Sequence, residues 1–358
     1  MQISRKILTL LAASTLFMSV AQAAVVETPD GKVNNQPEIS VMLPGKALDN
    51  GFMEAGYRGY QRIASEVTSD VKCVSDVSAT SEQGALTEQL RALAQEGPKL
   101  IIAHGGQCNG PVETISKEFP QIQFVVIQGN VKGNNVSSYK VDQEQSAFLA
   151  GALAGYMTKT DKVGHISGAW PKPGLQARAA FYDGLKYANK DAAFYTHFTG
   201  NLDDNTINAQ AAEAEIAAGC DIIYTMLNGG RFGVNDVIAA TNGKVSEIGN
   251  VIDWTKVSPI FIGSAVADSS VPIVNAAKEY KAGSLQGNVI SVIGLEDEDV
   301  VRLAIAGNIP KKVVKKLAKL RQDVLSGKVK INHEYAGQEF DPATGAFVDQ
   351  DAKNHRNK

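Results

Sequence analysis

Short apolar runs alternate with longer amphipathic segments along most of the chain. The apolar runs of the first half lie at 39–43, 71–77, 100–103, 124–128 and 136–141. The segments with a helical apolar period lie at 53–66, 83–95, 110–119 and 143–158. Runs of about four to seven residues are typical of buried strands, and strand and helix in alternation predict parallel strands joined by crossover helices.

A second series of the same kind follows the first. Its strands are predicted at 163–167, 193–199, 221–226 and 246–251, and its helices at 174–189, 207–218 and 233–241. Further segments exceed what a second lobe needs, and they lie at 259–264, 271–280, 285–292, 297–306 and 311–326. We therefore expect the chain to return and complete the first lobe.

The predicted fold class is α/β, with two doubly wound parallel-sheet lobes. The expected division is 37–142 and 254–285 for the first lobe, and 143–253 and 286–336 for the second. The chain would then cross between the lobes near Val141, Asp253 and Leu285. Such crossings act as hinges when two lobes close around a ligand.

Residues 1–23 predict a secretory signal, because the pair Arg5-Lys6 precedes the apolar run 7–20 and the small-residue sequence Ala21-Gln22-Ala23. A membrane anchor is the alternative, but this run is shorter than the roughly 20 residues that a spanning helix needs. No Cys follows it to carry a lipid, so we expect a periplasmic protein. The remaining end segments are predicted to be a flexible leader at 24–36 and a polar tail at 337–358.

The composition argues against several classes of protein. The 358 residues carry a formal net charge of −3, which gives no sign of the basic surface that nucleic-acid binding needs. Cys73, Cys108 and Cys220 are too few and too scattered for a disulfide framework or a metal site. The sequence leaves two alternatives for these residues, a Cys73–Cys108 disulfide or three buried free thiols. The lysines within 311–319 predict a solvated helix face or a docking patch for a partner protein.

The sequence lacks the motifs of common catalytic and cofactor sites. Neither Gly-x-Ser-x-Gly nor His-Glu-x-x-His is present, and no phosphate-binding glycine motif lies at a strand-to-helix junction. The five histidines are dispersed along the chain. We therefore expect no enzyme activity, no cofactor and no metal, although a hydrolase that uses carboxylates stays open as an alternative.

Aromatic and polar side chains follow the predicted strands, where ligands collect in open α/β sheets. The loop 44–53 supplies Asp49, Asn50 and Phe52. The other candidate ligand-binding residues are His104, Trp170, Asn228, Phe232, Asp253 and Asp268. Aromatic faces suit stacking on a flat ligand, and carboxylates and amides suit its orientation. The alternative roles are helix capping for the aspartates, turn support for Asn228 and loop or helix packing for the aromatic residues.

Several segments resemble the basic membrane protein family, whose members are binding components of ABC importers, among them receptors for purine nucleosides. The segments that carry the resemblance are Asp49-Asn50-Gly51-Phe52-Met53, 146–160, Lys162-Val163-Gly164-His165-Ile166-Ser167-Gly168, Phe181-Tyr182-Asp183-Gly184, Gly200-Asn201-Leu202-Asp203-Asp204, 218–224 and, more weakly, 325–329. The resemblance implies a type I periplasmic-binding-protein fold with three hinge crossovers. It also implies a monomeric receptor that delivers a nucleoside, nucleobase or related heterocycle to an ABC permease.

The resemblance assigns roles to some of the candidate residues. Asp49 is implied as a polar contact, Phe52 as a base-stacking ring and Asp253 as an acceptor from ribose hydroxyls. The chain departs from the family pattern at Gly51, Met53, Val251 and Ala267, where the family carries Ser, Asn, an acid and Lys. A ligand-binding sensor for a membrane receptor and a nucleoside-cleaving hydrolase are the alternative functions.

Overall fold

The computed structural model describes residues 25–29, 31, 36–77 and 83–350. The predicted signal at 1–23 and the last residues, 351–358, lie outside the described residues. The strands are β1 (Val25–Glu27), β2 (Ile39–Met42), β3 (Val71–Ser75), β4 (Leu100–His104), β5 (Gln123–Ile127), β6 (Val136–Val141), β7 (Lys162–Ser167), β8 (Ala193–Phe198), β9 (Ile222–Met226), β10 (Ser246–Val251), β11 (Phe261–Ala267), β12 (Ile290–Ile293), β13 (Val301–Ile305), β14 (Glu339–Asp341) and β15 (Ala346–Val348). The helices are α1 (Phe52–Glu66), α2 (Gln83–Gln95), α3 (Asn109–Glu118), α4 (Gln143–Met157), α5 (Lys172–Ala188), α6 (Asn205–Ala217), α7 (Arg231–Ala239), α8 (Ser270–Lys281) and α9 (Lys311–Leu325).

The first lobe is built on a sheet with the strand order β1-β3-β2-β4-β5-β6-β12. Its neighbouring strands are parallel except for β1 and β3. Helices α1 and α8 bury Ile63 and Ile273 against one face, and α2 and α3 bury Leu90 and Val112 against the other. Both faces are covered, which explains why β2, β3 and β4 are buried along their whole length.

The second lobe has the strand order β13-β11-β10-β9-β7-β8, and only β13 runs antiparallel to its neighbour. Helices α4, α5 and α9 cover one face, and α6 and α7 cover the other. Helices α4 and α5 pack with their backbones close together, because a Cβ at Gly151 would lie 1.9 Å from the carbonyl oxygen of Phe181. These elements confirm the predicted α/β class with two mostly parallel-sheet lobes.

The lobe boundaries differ from the expected ones. The chain leaves the first sheet after β6, but β11 pairs in parallel with β10 and so extends the second sheet. The chain returns to the first lobe only for α8 and β12, which pairs with β6, and it leaves again before β13. The strand within 254–285 therefore belongs to the second lobe, and β12, expected there, belongs to the first.

The terminal segments are more ordered than the sequence predicts. Strand β1, within the expected leader, pairs with β3. Strands β14 and β15, within the expected polar tail, form a hairpin whose Phe340 is only 1% exposed and packs on Tyr195 of β8. A buried aromatic ring provides the apolar contact that holds this hairpin on the second lobe.

The three cysteines are buried free thiols. Cys73 packs with α1 and α8 on one face of the first sheet, whereas Cys108 packs with α2 and α3 on the other. Cys220 lies in the core of the second lobe. The sheet separates the first two thiols, so the alternative of a Cys73–Cys108 disulfide is wrong for this fold.

Among residues 25–29, 31, 36–77 and 83–350, none of the helices combines the length and the apolar character that crossing a membrane requires.

Candidate functional site

A hydrogen bond joins the two lobes at the carboxyl ends of their sheets. Asp49, in the loop after β2, accepts it at 3.1 Å from the side-chain amide of Asn228, in the loop after β9. A Cβ on Gly51 would lie only 2.0 Å from Asn228 Oδ1. Two of the predicted site residues thus meet across the lobes, and Gly51 permits the close approach.

Asp49 also caps helix α1. Its carboxylate accepts hydrogen bonds from the backbone amides of Gly51 at 2.8 Å, Glu54 at 2.9 Å and Met53 at 3.2 Å. Burial raises the pKa of Asp49, the three backbone donors oppose that rise, and the nearby Asp203 carboxyl adds to it. The cap and the contact between lobes are therefore functions of the same carboxylate.

Asn50 is exposed beside this contact. It adopts a left-handed backbone conformation with φ 58°, and its amide donates to Glu54 Oε2 at 2.9 Å. A left-handed Asn is common in turns, so the backbone of Asn50 shapes the loop while its side chain faces solvent.

Phe52 and His104 form a stacked pair in the first lobe. Their ring centroids are 4.0 Å apart at an interplanar angle of 21°. His104 Nε2 lies 2.8 Å from the carbonyl oxygen of Phe52 and donates to it, since a carbonyl only accepts. Burial lowers the pKa of His104 to about 4, so the ring is neutral at pH 7. His104 is fully buried and supports Phe52, which remains partly exposed.

Two aromatic rings of the second lobe are exposed near the ends of strands. Trp170 follows β7, is 39% exposed and stacks on Phe198 at 5.5 Å between ring centroids. Phe232 lies in the first turn of α7 and is 42% exposed. Exposed rings on a rigid support provide faces on which a flat ligand can stack.

Asp253 and Asp268 both bind local backbone amides. Asp253 accepts from the amide of Thr255 at 3.2 Å and pairs with Lys256 at 3.4 Å. Asp268 accepts from the amide of Ser270 at 3.0 Å and lies 3.8 Å from Arg58. Each carboxylate therefore acts as a cap, the alternative role that the sequence left open.

A buried arginine holds the turn that contains Asp253. Arg231, 1% exposed, donates to the carbonyl oxygen of Leu227 at 3.0 Å and pairs with Glu247 at 3.3 Å. Its guanidinium lies over the Trp254 ring, 4.6 Å from the centroid. The indole in turn donates to the carbonyl oxygen of Asn250 at 2.9 Å. Arg231 thereby connects the carboxyl ends of β9 and β10.

Sequence reasoning missed three features of this region. Asp203 is close enough to Asp49 to influence its pKa, and it accepts from the amide of Gly229 at 3.2 Å. Val251, at the end of β10, has φ 68°, which is a strained conformation for a β-branched residue. The Arg231 network is the third feature. Asp203 belongs to a segment that carries the family resemblance, which was the signal available for it.

A family model described as ABC transporter substrate-binding protein, PnrA-like, matches residues 36–335. Among curated proteins, the chain is similar to "ABC transporter nucleoside-binding protein BmpA" of Lactococcus lactis subsp. cremoris, with 22% identity over 84% of this chain and 90% of that protein. It is also similar to "Transcriptional activator protein med" of Bacillus subtilis, with 24% identity over 73% of this chain and 80% of that protein.

The fold is similar to that of solved solute-binding proteins. The structure of "ABC transporter system solute-binding proteins from Aeropyrum pernix K1" aligns with a TM-score of 0.73 and 19% identity, over 82% of this chain and 93% of that one. The chain thus has a fold of the periplasmic-binding-protein type, as the sequence predicted.

Proposed function

Because the chain belongs to the Bmp family of PnrA-like ABC transporter substrate-binding proteins, we propose that it captures a nucleoside, a nucleobase or a related heterocycle between its lobes. The captured ligand passes to an ABC permease, and the protein itself carries out no reaction on it. We further propose that the protein is exported to the periplasm by the predicted signal at 1–23 and acts there as a monomer.

The observation that carries the proposal is the Asn228–Asp49 hydrogen bond between the carboxyl ends of the two sheets. Ligands of open α/β proteins bind at these ends, and a contact between lobes there is the contact that closure makes. The partly exposed Phe52 and the exposed Trp170 lie after strands of different lobes. We propose that a flat ring bound between the lobes stacks on Phe52 or Trp170.

Polar groups at the same ends supply orientation. Asp49 and Asp253 each hold a carboxylate beside a strand end, and a carboxylate accepts hydrogen bonds from ribose hydroxyls or an exocyclic amine. Both carboxylates are positioned by backbone amides, so they lose little freedom when a ligand binds. The nucleoside named in the relative from Lactococcus lactis fits this combination of rings and acceptors.

A thermal-shift screen with nucleobases, nucleosides and small sugars tests the proposal, because a ligand stabilises the state that it binds. We expect a purine or pyrimidine compound to raise the melting temperature and the sugars to have no effect. Chromatography of the same mixtures should recover the nucleoside intact. Release of free base would instead support the hydrolase alternative, and the absence of a shift with every heterocycle would contradict the proposed ligand class.

A further inference from the structure

Two of the chain crossings between lobes are bound to each other. The first crossing runs from β6 into α4 through Asp142, and the third follows β12. The amide of Asp142 donates to the carbonyl oxygen of Ile293 at 2.8 Å. Gln145 Oε1 accepts from the amide of Leu295 at 2.8 Å. The conformation of Asp142 and the first turn of α4 therefore affects both crossings at once.

A pair of carboxyl groups lies at this position. Asp142 and Glu144 are within hydrogen-bonding reach of each other, and the side chain of Glu144 is completely buried. Asp142 Oδ2 accepts from Gln145 at 2.9 Å, and Glu144 Oε1 lies 3.3 Å from Lys140 Nζ. The other two oxygens, Asp142 Oδ1 and Glu144 Oε2, are buried without a donor from the part of the chain that the structure describes.

One proton satisfies both of these oxygens. A protonated carboxyl donates one hydrogen bond, and a neighbouring carboxylate accepts it. If both carboxyl groups are ionised, they repel each other, and Asp142 Oδ1 and Glu144 Oε2 both lack a donor among the described residues. Burial, and secondly the Asp142 carboxyl, raise the pKa of Glu144 to about 7, while Lys140 acts in the opposite direction.

The charges around the pair are balanced when the two carboxyl groups hold a single proton. Lys140 on β6 is the cation that faces it, and one cation balances one carboxylate. On the third crossing, Glu296 is occupied by the amide of Gly294 at 2.7 Å. Arg321 of α9 donates to the carbonyl oxygen of Leu295 and pairs with Glu298 at 2.7 Å. With one proton, Lys140, Asp142 and Glu144 together are neutral.

We propose that Asp142 and Glu144 share one proton across the first crossing, and that its loss loosens the hinge and weakens ligand capture as the pH rises through neutrality. The shared proton ties the crossing residue to the first turn of α4 in the arrangement whose lobes meet through Asp49 and Asn228. Without it, the carboxylates separate and become hydrated, which disfavours this arrangement. The inference about capture rests on the proposed function, whereas the hinge motion does not.

The hinge is tested without any ligand. Spin labels are placed on Lys46→Cys and Lys172→Cys, two exposed positions on different lobes, and the distance between the labels is measured at pH 6 and pH 8. We expect this distance to increase at pH 8 in the otherwise wild-type chain. Glu144→Gln should keep the short distance at both pH values, because a glutamine amide donates to Asp142 and does not titrate.

Glu296→Gln is the matched control, since Glu296 lies on the third crossing and its replacement still accepts from Gly294. It should respond to pH as the wild-type chain does. Asp142→Asn is the second variant if Glu144→Gln does not fold, because its amide donates to the Glu144 carboxylate and the contact then needs no shared proton. Equal distances at the two pH values in the wild-type chain, or a wild-type response in these amide variants, would overturn the inference.

The affinity for whichever nucleoside is found in the screen separates the two proposals. For one linked proton, affinity changes by at most about tenfold per pH unit. We expect several-fold weaker binding at pH 8 than at pH 6, and a smaller difference in Glu144→Gln. A pH-dependent distance without nucleoside binding would refute the proposed function alone. Nucleoside binding with a distance independent of pH would refute the hinge inference alone.

Discussion

Single residues at the strand ends can make more than one structural contact. Asp49 caps α1 and contacts the other lobe, and Asp253 caps a turn just beyond the end of β10. The sequence indicated these aspartates but treated capping and binding as alternatives. In the folded chain both aspartates cap, and Asp49 also contacts the other lobe, while ligand binding by either stays a prediction.

Trp170→Ala should weaken nucleoside binding by about 1 to 3 kcal/mol, since it removes an exposed stacking face. Titration calorimetry measures the change. Tyr187→Ala is the control, because Tyr187 is 49% exposed at the far end of α5 from Trp170. Equal affinities of the Trp170 variant and the wild-type protein would exclude this ring from the site.

Glu215 gives a pH dependence of stability. It is completely buried, and neither carboxylate oxygen has a well-formed hydrogen bond within the described segments. Burial raises its pKa well above the usual 4.5, and the nearby backbone amide of His165 opposes this rise only in part. The folded state therefore binds the proton more tightly than the unfolded state. The contribution of Glu215 to the free energy of unfolding is fully present below pH 4.5. It falls as the pH rises toward the folded pKa, by about 1.4 kcal/mol per pH unit.

Glu215→Gln should remove this contribution, because its side chain is neutral at every pH. Urea unfolding of both proteins between pH 4.5 and 8 measures the effect. We expect the variant to lose less stability than the wild-type protein as the pH rises. Parallel pH profiles for the two proteins would show that Glu215 does not take up a proton on folding.

Helices in this fold are defined by both their ends and their packing. Asp49 caps α1 and Asp204 caps α6 in the same way, through amides two or more residues ahead. The apolar periodicity predicted both helices, but α4 is apolar nearly all round because it is buried between the second sheet, α5 and α9. Its position in the core is a property of the tertiary structure.

Asp49→Ala and Asp204→Ala should each lower the free energy of unfolding by about 1 to 2 kcal/mol through loss of a cap. Only Asp49→Ala should also weaken ligand binding, because only Asp49 bonds to Asn228. Denaturant unfolding and calorimetry on both variants measure the two effects. Equal ligand affinity in the two variants would contradict a role of Asp49 in closure.

Gly151→Ala should destabilise the second lobe by about 1 to 3 kcal/mol, since the added Cβ would overlap the backbone of α5. Gly110→Ala in α3 is the matched control, because its Cβ would have no neighbour within 4 Å among the described residues. This second change should be neutral or slightly stabilising, as alanine favours helix. Thermal unfolding measures the stability of the two variants. A loss of stability in Gly151→Ala alone would show that the close packing of α4 on α5 causes it.

At the scale of the whole molecule, the relation between the lobes depends on a few contacts. A Cβ at position 51 would overlap the side-chain amide of Asn228, the group that bonds to Asp49. At the crossings, the amide of Asp142 donates to the carbonyl oxygen of Ile293 and joins the first crossing to the third.

Gly51→Ala should weaken binding by about 1 kcal/mol or more through overlap with Asn228. Asn228→Ala in the same chain should relieve the overlap and recover part of the affinity beyond that of the single Gly51 variant. Gly229→Ala, whose Cβ would have ordinary contacts of at least 3.5 Å, is the control in the same loop. Calorimetry measures the affinity of each variant. If the double variant binds no better than Gly51→Ala, overlap with Asn228 is not the cause of the weaker binding.

The sequence by itself determined the alternation of strands and helices, the two-lobed α/β class and the family. Apolar periodicity follows from burial of each element against its neighbours and is visible in local sequence. The candidate residues at strand ends followed from the same argument, since the ends of parallel strands lie at one edge of a sheet.

The tertiary structure decided which lobe receives β11 and β12, and which side chains meet. Strand pairing depends on contacts between residues far apart in the chain, so β11 continues the second sheet although a crossing was expected before it. The docking of Phe340, the Asp49–Asn228 bond and the Asp142–Glu144 pair are also long-range or conformational contacts. Local sequence contains the side chains, and only the folded chain brings them together.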